Sequence, residues 1–185
     1  MIEIRAATLD DAPEIAAIFA PFVAGNVSFE EKAPNADQMR KRMTASNGLY
    51  PWIVATNGDP DGLLGYAFAT SFRDRAAYRY VVDTSIYIAG DWKQQGVGRL
   101  LYGALVDTLR EQDFVQAISG ISLPNDDLIS LHEAVGFRRA GVFRQAGYKN
   151  AEWRDVGFWQ LELTQAENPP RDPKPFSDVG VIRDE

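Results

Sequence analysis

Cysteine is absent from the 185-residue sequence, and histidine occurs only once, as His132. The first absence excludes a disulfide framework, a thiolate nucleophile and any zinc or iron site that depends on sulfur ligands. The second excludes a metal site built from several histidines, and no acidic motif is clustered in a way that favours a carboxylate metal site. The sequence therefore predicts a protein without a bound metal.

Basic side chains and long apolar runs are also scarce. With 19 basic against 26 acidic side chains, the net charge of −7 opposes non-specific binding to nucleic acid or to an anionic membrane. No apolar run approaches the roughly 20 residues that span a bilayer, and the first residues, MIEIRAATLDD, lack the segments of a signal peptide. We expect a cytoplasmic enzyme or binding protein in which any anionic ligand meets a local group of positive charges.

The hydrophobic pattern predicts one domain with alternating helices and strands. Thr8 or Asp10 is the expected cap of the first helix, with Pro13 and Pro21 near its two ends, and Asn35 is the expected cap of the second. The turn residues between 57 and 62 predict a hairpin. Strands are expected at 1–6, 50–56, 63–71, 80–88, 116–122, 138–146 and 153–163, and helices at about 9–19, 36–46, 97–111 and 126–135. This order is typical of an α/β or α+β domain with three layers.

The chain beyond Leu163 has no periodic apolar pattern and contains the run NPPRDPKP. Such a composition is typical of an extended segment. We therefore expect a domain over residues 1–163 and a proline-rich C-terminal tail over residues 164–185.

The most informative segment is SIYIAGDWKQQGVGRLLYGAL, in which a strand leads through Gly96-Val97-Gly98 into an amphipathic helix. Glycines at the start of a helix let backbone N–H groups point together at a phosphate, and Arg99 adds positive charge. Leu101 stands where a dinucleotide-binding fingerprint needs its third glycine, and no P-loop lysine follows. The segment predicts either an anionic cofactor or simply a tight strand-to-helix turn.

The run from Lys93 to Gly98 resembles the Q/R-x-x-G-x-G/A pyrophosphate loop of the GNAT acyltransferases, although Lys93 departs from that pattern. The similarity continues in LPND and LHEAVGF and covers about residues 2–163. Further stretches, YVVDTSIYI and AGYKNAEWRDVGFWQ, resemble the phosphinothricin and methionine sulfone N-acetyltransferases. The resemblance implies a mixed, mostly antiparallel sheet of about seven strands flanked by helices, a homodimer, and a role in antibiotic or herbicide resistance.

The same resemblance implies a site for acetyl-CoA. The backbone of Ile86, Tyr87 and Ile88 would meet the pantetheine arm and polarise the thioester carbonyl. Asn125 would hydrogen-bond that arm, although an asparagine at this position is equally typical of a helix cap. The pyrophosphate would be held by Gln94, Gln95, Gly96, Val97, Gly98 and Arg99.

Two residues are candidates for proton transfer, because the reacting amine must lose a proton before it attacks. Asp83 stands where relatives carry a glutamate base; alternatively it is a strand-end aspartate paired with Arg75 or Arg79. His132 stands where many GNAT enzymes place a tyrosine that protonates the leaving thiolate, and an ordinary pKa of roughly 6.5 suits either role. The alternative for His132 is a packed or solvated residue without a catalytic role. If both residues transfer protons, Asp83 and His132 would act as a pair.

Arg73, Arg75 and Tyr78 match positions where these relatives gather groups around the acidic or sulfone head of the substrate. Phe29 and Val156 would form apolar walls of the same pocket. The alternative for the arginines is a solvated loop without a ligand. The sequence thus predicts acetyl transfer to the α-amino group of phosphinothricin, methionine sulfone or methionine sulfoximine. The alternatives are acetylation of a protein N-terminus or lysine, and a catalytically silent CoA-binding module, which the aspartate at position 83 favours.

Overall fold

The computed structural model describes residues 1–58 and 62–183, in which seven strands and five helices occur. No helix within these residues is both long and apolar enough to cross a membrane. The strands are β1 (Glu3–Ala6), β2 (Trp52–Thr56), β3 (Leu63–Ser71), β4 (Val81–Ile88), β5 (Gln116–Ser122), β6 (Arg138–Lys149) and β7 (Glu152–Glu162). The helices are α1 (Ala12–Ala24), α2 (Ala36–Thr44), α3 (Val97–Glu111), α4 (Asp126–Ala134) and α5 (Phe176–Val179).

All seven strands form one sheet in the order β1-β2-β3-β4-β5-β7-β6. Every neighbouring pair is antiparallel except β4 and β5, which are parallel. The predicted fold class, a mixed and mostly antiparallel sheet flanked by helices, is confirmed. The predicted hairpin is β2–β3, and the part of its turn at residues 59–61 lies outside the described residues.

The sheet has a hydrophobic core on each face. On one face α3 buries Leu101, Leu105 and Leu109, which recur every four residues and therefore lie on one side of the helix. On the other face α1 and α2 bury Phe19 and Met39 against the strands. Because both faces are covered, all five residues of β2 are buried, and the strand reads as a continuous apolar run.

The first helix is longer than the sequence predicted. It was expected to end near Phe19, before Pro21, but α1 continues through Pro21 to Ala24. A proline loses one helical hydrogen bond, yet Phe19 and Val23 on either side of it are buried against the sheet, and this packing continues the helix. The cap of α2 is confirmed, since the Asn35 side chain accepts a hydrogen bond from the backbone N–H of Gln38.

The segment after β7 packs on the domain, which its composition did not indicate. It contains the short helix α5, and Phe176 and Val181 contact the core next to α3. Gln112 at the end of α3 is fully buried, and its Nε2 donates to the backbone carbonyls of Leu49 and Lys174, each at 2.8 Å. The division into residues 1–163 and 164–185 stays a prediction.

Candidate active site

Strands β4 and β5 separate part-way along the sheet. Their parallel pairing runs from Val81–Gln116 to Asp83–Ile118, whereas β4 stays paired with β3 as far as Ile88. In the described part of the chain, β4 therefore has no strand pairing on the edge that faces β5 from Ser85 to Ile88, whereas the Thr84 carbonyl still accepts a hydrogen bond from Ser119 Oγ of β5 at 3.0 Å. A cavity of about 520 Å³ lies there, with Ile86 and Ile88 in its wall.

The loop before α3 forms one end of this cavity. Gly96 caps the helix with φ of +81°, a left-handed conformation that glycine adopts without steric cost. The first N–H groups of a helix have no intrahelical partner, and the helix dipole makes this end positive. The first turn of α3 contains no acidic residue to neutralise that end. The cavity wall includes the predicted residues Gln94, Gly96, Gly98, Arg99 and Asn125.

Three predicted cofactor residues have side chains elsewhere. Gln95 donates to the Asp91 carbonyl at 2.7 Å and so closes the loop. Val97 is fully buried in the core under α3. Tyr87 alternates with Ile86 and Ile88, so its ring packs on the opposite face of the sheet, against Phe19 and Phe22. Only the backbone of these three residues is available to a ligand at the cavity, and their assignment stays a prediction.

Asn125 combines the two properties that the sequence left open. Its Oδ1 accepts from the Leu128 backbone N–H at 3.2 Å, which makes it the cap of α4. It also contributes to the cavity wall. With the carbonyl oxygen used by the cap, the side-chain NH₂ group is the part that can donate to a ligand.

Asp83 lies where β4 and β5 begin to separate. Burial raises the pKa of its carboxyl to about 6, while the positive charge of Arg73 acts in the opposite direction. Within residues 1–58 and 62–183 no hydrogen bond or ion pair holds this carboxylate, and Arg79 pairs instead with Asp172 at 3.0 Å. A carboxylate without a fixed partner and with this pKa can accept a proton near neutral pH.

His132 lies in a buried hydrogen-bond network. Its Nδ1 lies 2.7 Å from the Leu128 carbonyl oxygen, which only accepts, so Nδ1 carries the proton. Its Nε2 lies 2.9 Å from both the Tyr102 hydroxyl and the Ser119 hydroxyl. Tyr102 in turn lies 2.8 Å from Thr84 Oγ1, next to Asp83 in the chain. The network thus links α3, α4 and β5 to β4 at the separation point.

This environment changes the acid–base properties expected of His132. The ring is 1% exposed, and burial lowers its pKa to about 4, so that it is neutral at pH 7. The ordinary pKa near 6.5, on which the predicted acid or base role relied, does not apply to this ring. No hydrogen bond joins His132 to Asp83 in the described part of the chain. The network ends at Thr84, whose side chain forms no hydrogen bond with Asp83 within these residues, because neighbouring side chains of a strand point to opposite faces of the sheet.

A family model described as an acetyltransferase (GNAT) domain matches residues 4–157. This chain belongs to the GNAT acetyltransferase family. The phosphinothricin N-acetyltransferase of Alcaligenes faecalis is 40% identical to it over 86% of this chain and 82% of the relative. The L-methionine sulfoximine/L-methionine sulfone acetyltransferase of Pseudomonas aeruginosa is 30% identical over 90% and 98%.

Solved GNAT structures show the same fold. A phosphinothricin acetyltransferase from Sinorhizobium meliloti, crystallised in complex with acetyl-CoA, has a TM-score of 0.83 and 32% identity. The match covers 96% of this chain and 95% of that one. The likeness therefore extends over nearly the whole fold described above.

The predicted substrate residues lie within this GNAT domain, on several of its elements. Arg73 and Arg75 are exposed on the loop after β3, where the Arg73 guanidinium lies 4.8 Å from the centre of the Phe72 ring. Tyr78 is 42% exposed on the following 3₁₀ turn. Phe29 is 41% exposed on the loop after α1, and Val156 lies in β7, paired with Ser122 and Phe143. None of these five lines the 520 Å³ cavity, so their role stays a prediction.

Several residues of the site were missed by sequence reasoning. The buried partners of His132 lie 13 to 30 residues away along the chain, and no local pattern links them. Tyr102 occupies a core position of α3, where an aromatic residue is ordinary packing. Lys93, which the motif includes but which was not assigned a contact, also belongs to the cavity wall. The missed members of the wall are Phe22, Val27, Trp92, Asp127, Leu128, Ser130 and Leu131, of which Trp92 adjoins the loop motif.

Proposed function

We propose that this protein is an acetyl-CoA-dependent N-acetyltransferase for the α-amino group of a small amino-acid analogue: phosphinothricin, methionine sulfone or methionine sulfoximine. The observation that carries the proposal is the cavity between β4, α3 and α4, with the partly buried Asp83 at the point where β4 and β5 separate. The names of the relatives that match most of the chain support the choice of substrates.

The residues at the cavity fit acetyl-CoA. An anionic pyrophosphate suits the positive end of α3, Arg99 and the N–H groups beyond Gly96. The free edge of β4 offers N–H and C=O groups to the amides of the pantetheine arm, and Ile86 and Ile88 provide apolar contact. When bound, acetyl-CoA supplies an activated thioester as the acetyl donor.

Asp83 is proposed as the general base. At pH 7 an amino acid carries an ammonium group, which has no lone pair with which to attack a carbonyl. The Asp83 carboxylate would take this proton, either directly or through one water, and its raised pKa of about 6 reduces the mismatch with the amine. His132 is neutral and buried, so its proposed part in proton transfer would pass through Tyr102 rather than by direct contact with the substrate.

Arg73, Arg75 and Tyr78 are proposed to bind the acidic or sulfone head of the amine. Both guanidinium groups are exposed, and neither forms an ion pair within residues 1–58 and 62–183. A guanidinium donates two parallel hydrogen bonds to carboxylate, phosphinate or sulfonyl oxygens. Phe29 and Val156 are proposed as apolar walls of the same pocket.

We also propose a cytoplasmic homodimer without a nucleic-acid partner. The exposed aromatic residues Phe143, Tyr148 and Trp153 on β6 and β7, each about 60% exposed, support a protein interface there. The net charge of −7 opposes nucleic-acid binding. Acetylation would neutralise the amine of a toxic amino-acid analogue, which agrees with a role in resistance.

Thiol release from acetyl-CoA by the purified protein tests the proposed activity. We expect turnover with at least one of phosphinothricin, methionine sulfone and methionine sulfoximine, and a much lower rate with peptides that have a free N-terminus or a lysine. Turnover on peptides alone would favour the protein acetyltransferase alternative. Calorimetric binding of acetyl-CoA without turnover on any amine would favour the silent CoA-binding module.

A further inference from the structure

The C-terminal end of α1 is completed by residues from the far end of the chain. Helices end with carbonyl groups that have no intrahelical partner. In α1 the Val23 carbonyl accepts a hydrogen bond from Lys149 Nζ, and the Ala24 carbonyl accepts one from Asn150 Nδ2 at 3.4 Å. Lys149 is the last residue of β6 and Asn150 follows it in the turn to β7, so this hairpin acts as the cap of the helix.

Lys149 also holds the loop that follows α1. Its Nζ donates a second hydrogen bond to the Ser28 carbonyl at 2.7 Å, and the residue is only 8% exposed. In the described part of the chain no acidic side chain forms an ion pair with it. Burying an ammonium group is costly, and its hydrogen bonds to the Val23 and Ser28 carbonyls offset part of that cost only while both carbonyls stay in place. Lys149 thus joins the end of α1, at Val23, to Ser28 near the other end of the Gly25–Phe29 loop.

Gly147 lies beneath the Phe29 ring, where the loop packs on the sheet. A Cβ at Gly147 would lie 2.3 Å from two ring carbons of Phe29, far inside contact distance. The Phe29 ring therefore packs directly on the backbone of β6, and a side chain at position 147 would displace the ring from this place. Phe29 follows Ser28, whose carbonyl Lys149 binds, so the two contacts hold adjacent residues.

The same loop borders the cavity assigned to acetyl-CoA, since Val27 within the loop and Phe22 in the last turn of α1 before it belong to the cavity wall. We infer that Gly147 and Lys149 are positioning residues: they hold Phe29, the proposed apolar wall of the amine pocket, in place and so limit the size of the amine's side chain. This inference rests on the proposed function. It adds two specificity-determining residues that touch neither substrate directly.

Gly147→Ala tests the packing of the Phe29 ring on Gly147. The new methyl group must displace the ring, so we expect KM for the amine to rise about tenfold while KM for acetyl-CoA stays within about twofold. Gly141→Ala is the matched control, because it lies in the same strand and nothing lies within 4 Å of its Cβ position. Equal kinetic effects of the two substitutions would overturn the inference.

Lys149→Met tests the clamp, because it keeps the length of the side chain and removes the donors. We expect the preference for a small amine over a bulky one, such as L-phenylalanine, to fall about tenfold in kcat/KM. Lys149→Arg keeps a donor and should restore part of that preference. Full preference in Lys149→Met, or no recovery with arginine, would contradict the role.

Two further measurements separate this inference from the proposed function. If Gly147 acts only through Phe29, its effect should disappear in a Phe29→Ala background, whereas additive effects would overturn the inference. Backbone amides of residues 25–29 should exchange with deuterium at least about tenfold faster in Lys149→Met. This measurement needs no substrate, so unchanged exchange in Lys149→Met refutes the role of Lys149 whatever the activity of the wild type. A wild type that acetylates no amine would refute only the proposed function.

Discussion

At the scale of single residues, the site separates two titratable groups that the sequence had treated alike. Asp83 and His132 are both candidates for proton transfer, yet burial reverses the order of their pKa values: that of Asp83 rises to about 6 and that of His132 falls to about 4. Each shift favours the uncharged form. At pH 7 the Nε2 lone pair of His132 faces the Tyr102 and Ser119 hydroxyls, whereas the Asp83 carboxylate is charged and lacks a hydrogen-bond partner within the described residues.

Replacement of Asp83 should therefore affect turnover more than binding. We expect Asp83→Ala to lower kcat by about 100- to 10,000-fold, with little change in KM for acetyl-CoA, as measured by steady-state thiol release. Asp83→Glu, which restores the residue of the relatives, should keep most of the activity. Asp37→Ala, at an exposed aspartate on α2, serves as control. An alanine variant as active as the wild type would exclude Asp83 as the base.

The pH profile provides a separate check on the same residue. Because the base must be ionised, kcat/KM for the amine should fall about tenfold per pH unit below about pH 6, where Asp83 takes up its proton. In Asp83→Glu the break should shift to a different pH. A profile with the same break in both variants would assign it to another group.

At the scale of elements, the loop before α3 combines a conformational requirement with open space. Gly96 has a positive φ, but a Cβ there would meet no atom within 4 Å. Gly96→Ala should thus cost about 1–2 kcal/mol from backbone strain alone, which distorts the loop and raises KM for acetyl-CoA several-fold.

Gly103→Ala is the control for that substitution. Gly103 lies within α3 and also has free space at its Cβ position, so alanine there should stabilise the helix by up to about 1 kcal/mol. Calorimetric titration with acetyl-CoA measures both variants. Equal affinity in the two would show that the left-handed conformation of Gly96 does not matter for the cofactor.

The elements themselves were largely predictable. The bounds of α3 and β5 agree with the sequence prediction, because Gly96 precedes a regular apolar stripe and β5 is a short run between turns. The errors lie where tertiary packing overrides local signals. Pro21 lies inside α1, and α5 forms in a proline-rich segment because Phe176 finds contact beside α3. The packing around Pro21 and the contact of Phe176 both involve residues distant in the chain, so a local sequence pattern does not reveal them.

The site was predictable where a motif is continuous in the chain and not where it is assembled in space. The loop from Lys93 to Arg99 is local, so its position at the cavity followed from its spacing. The contacts of His132 with Tyr102 and Ser119, and those of Lys149 with α1, join distant segments. The pKa of His132 could not be foreseen, since it depends on burial by α3 and β5.

At the scale of the whole molecule, the contributions of Asp83 and His132 to the free energy of unfolding change with pH in opposite directions. The folded-state pKa of Asp83 is raised from 3.8 to about 6, so its contribution is lost as pH rises between these values. The folded-state pKa of His132 is lowered from 6.5 to about 4, so its contribution is lost as pH falls through that range. Each amounts to at most about 3 kcal/mol.

Urea unfolding of single variants between pH 4 and pH 7 should resolve these two effects. Relative to the wild type, Asp83→Asn should gain stability as pH rises, because the wild type must then bury a charge. Relative to the wild type, His132→Asn should gain stability as pH falls, because the unfolded wild-type chain then takes up a proton. Differences that do not vary with pH would contradict both directions.

The C-terminal segment should contribute to the stability of the whole domain. Ending the chain after Leu163 removes Phe176 from the core and leaves the buried Gln112 side chain without the Lys174 carbonyl. We expect the free energy of unfolding to fall by about 2–4 kcal/mol. A chain that ends at Arg183 is the control. Equal urea midpoints for both chains would mean that the segment is attached without stabilising the fold.

The cap of α1 also has a consequence for the order of folding. Val23 and Lys149 are separated by 126 residues, and so are Ala24 and Asn150. During synthesis the N-terminal helix emerges first, but its last carbonyls find these partners only after the β6–β7 hairpin has left the ribosome. The Gly25–Phe29 loop is consequently among the last parts to become ordered, and an incomplete chain cannot form a finished pocket.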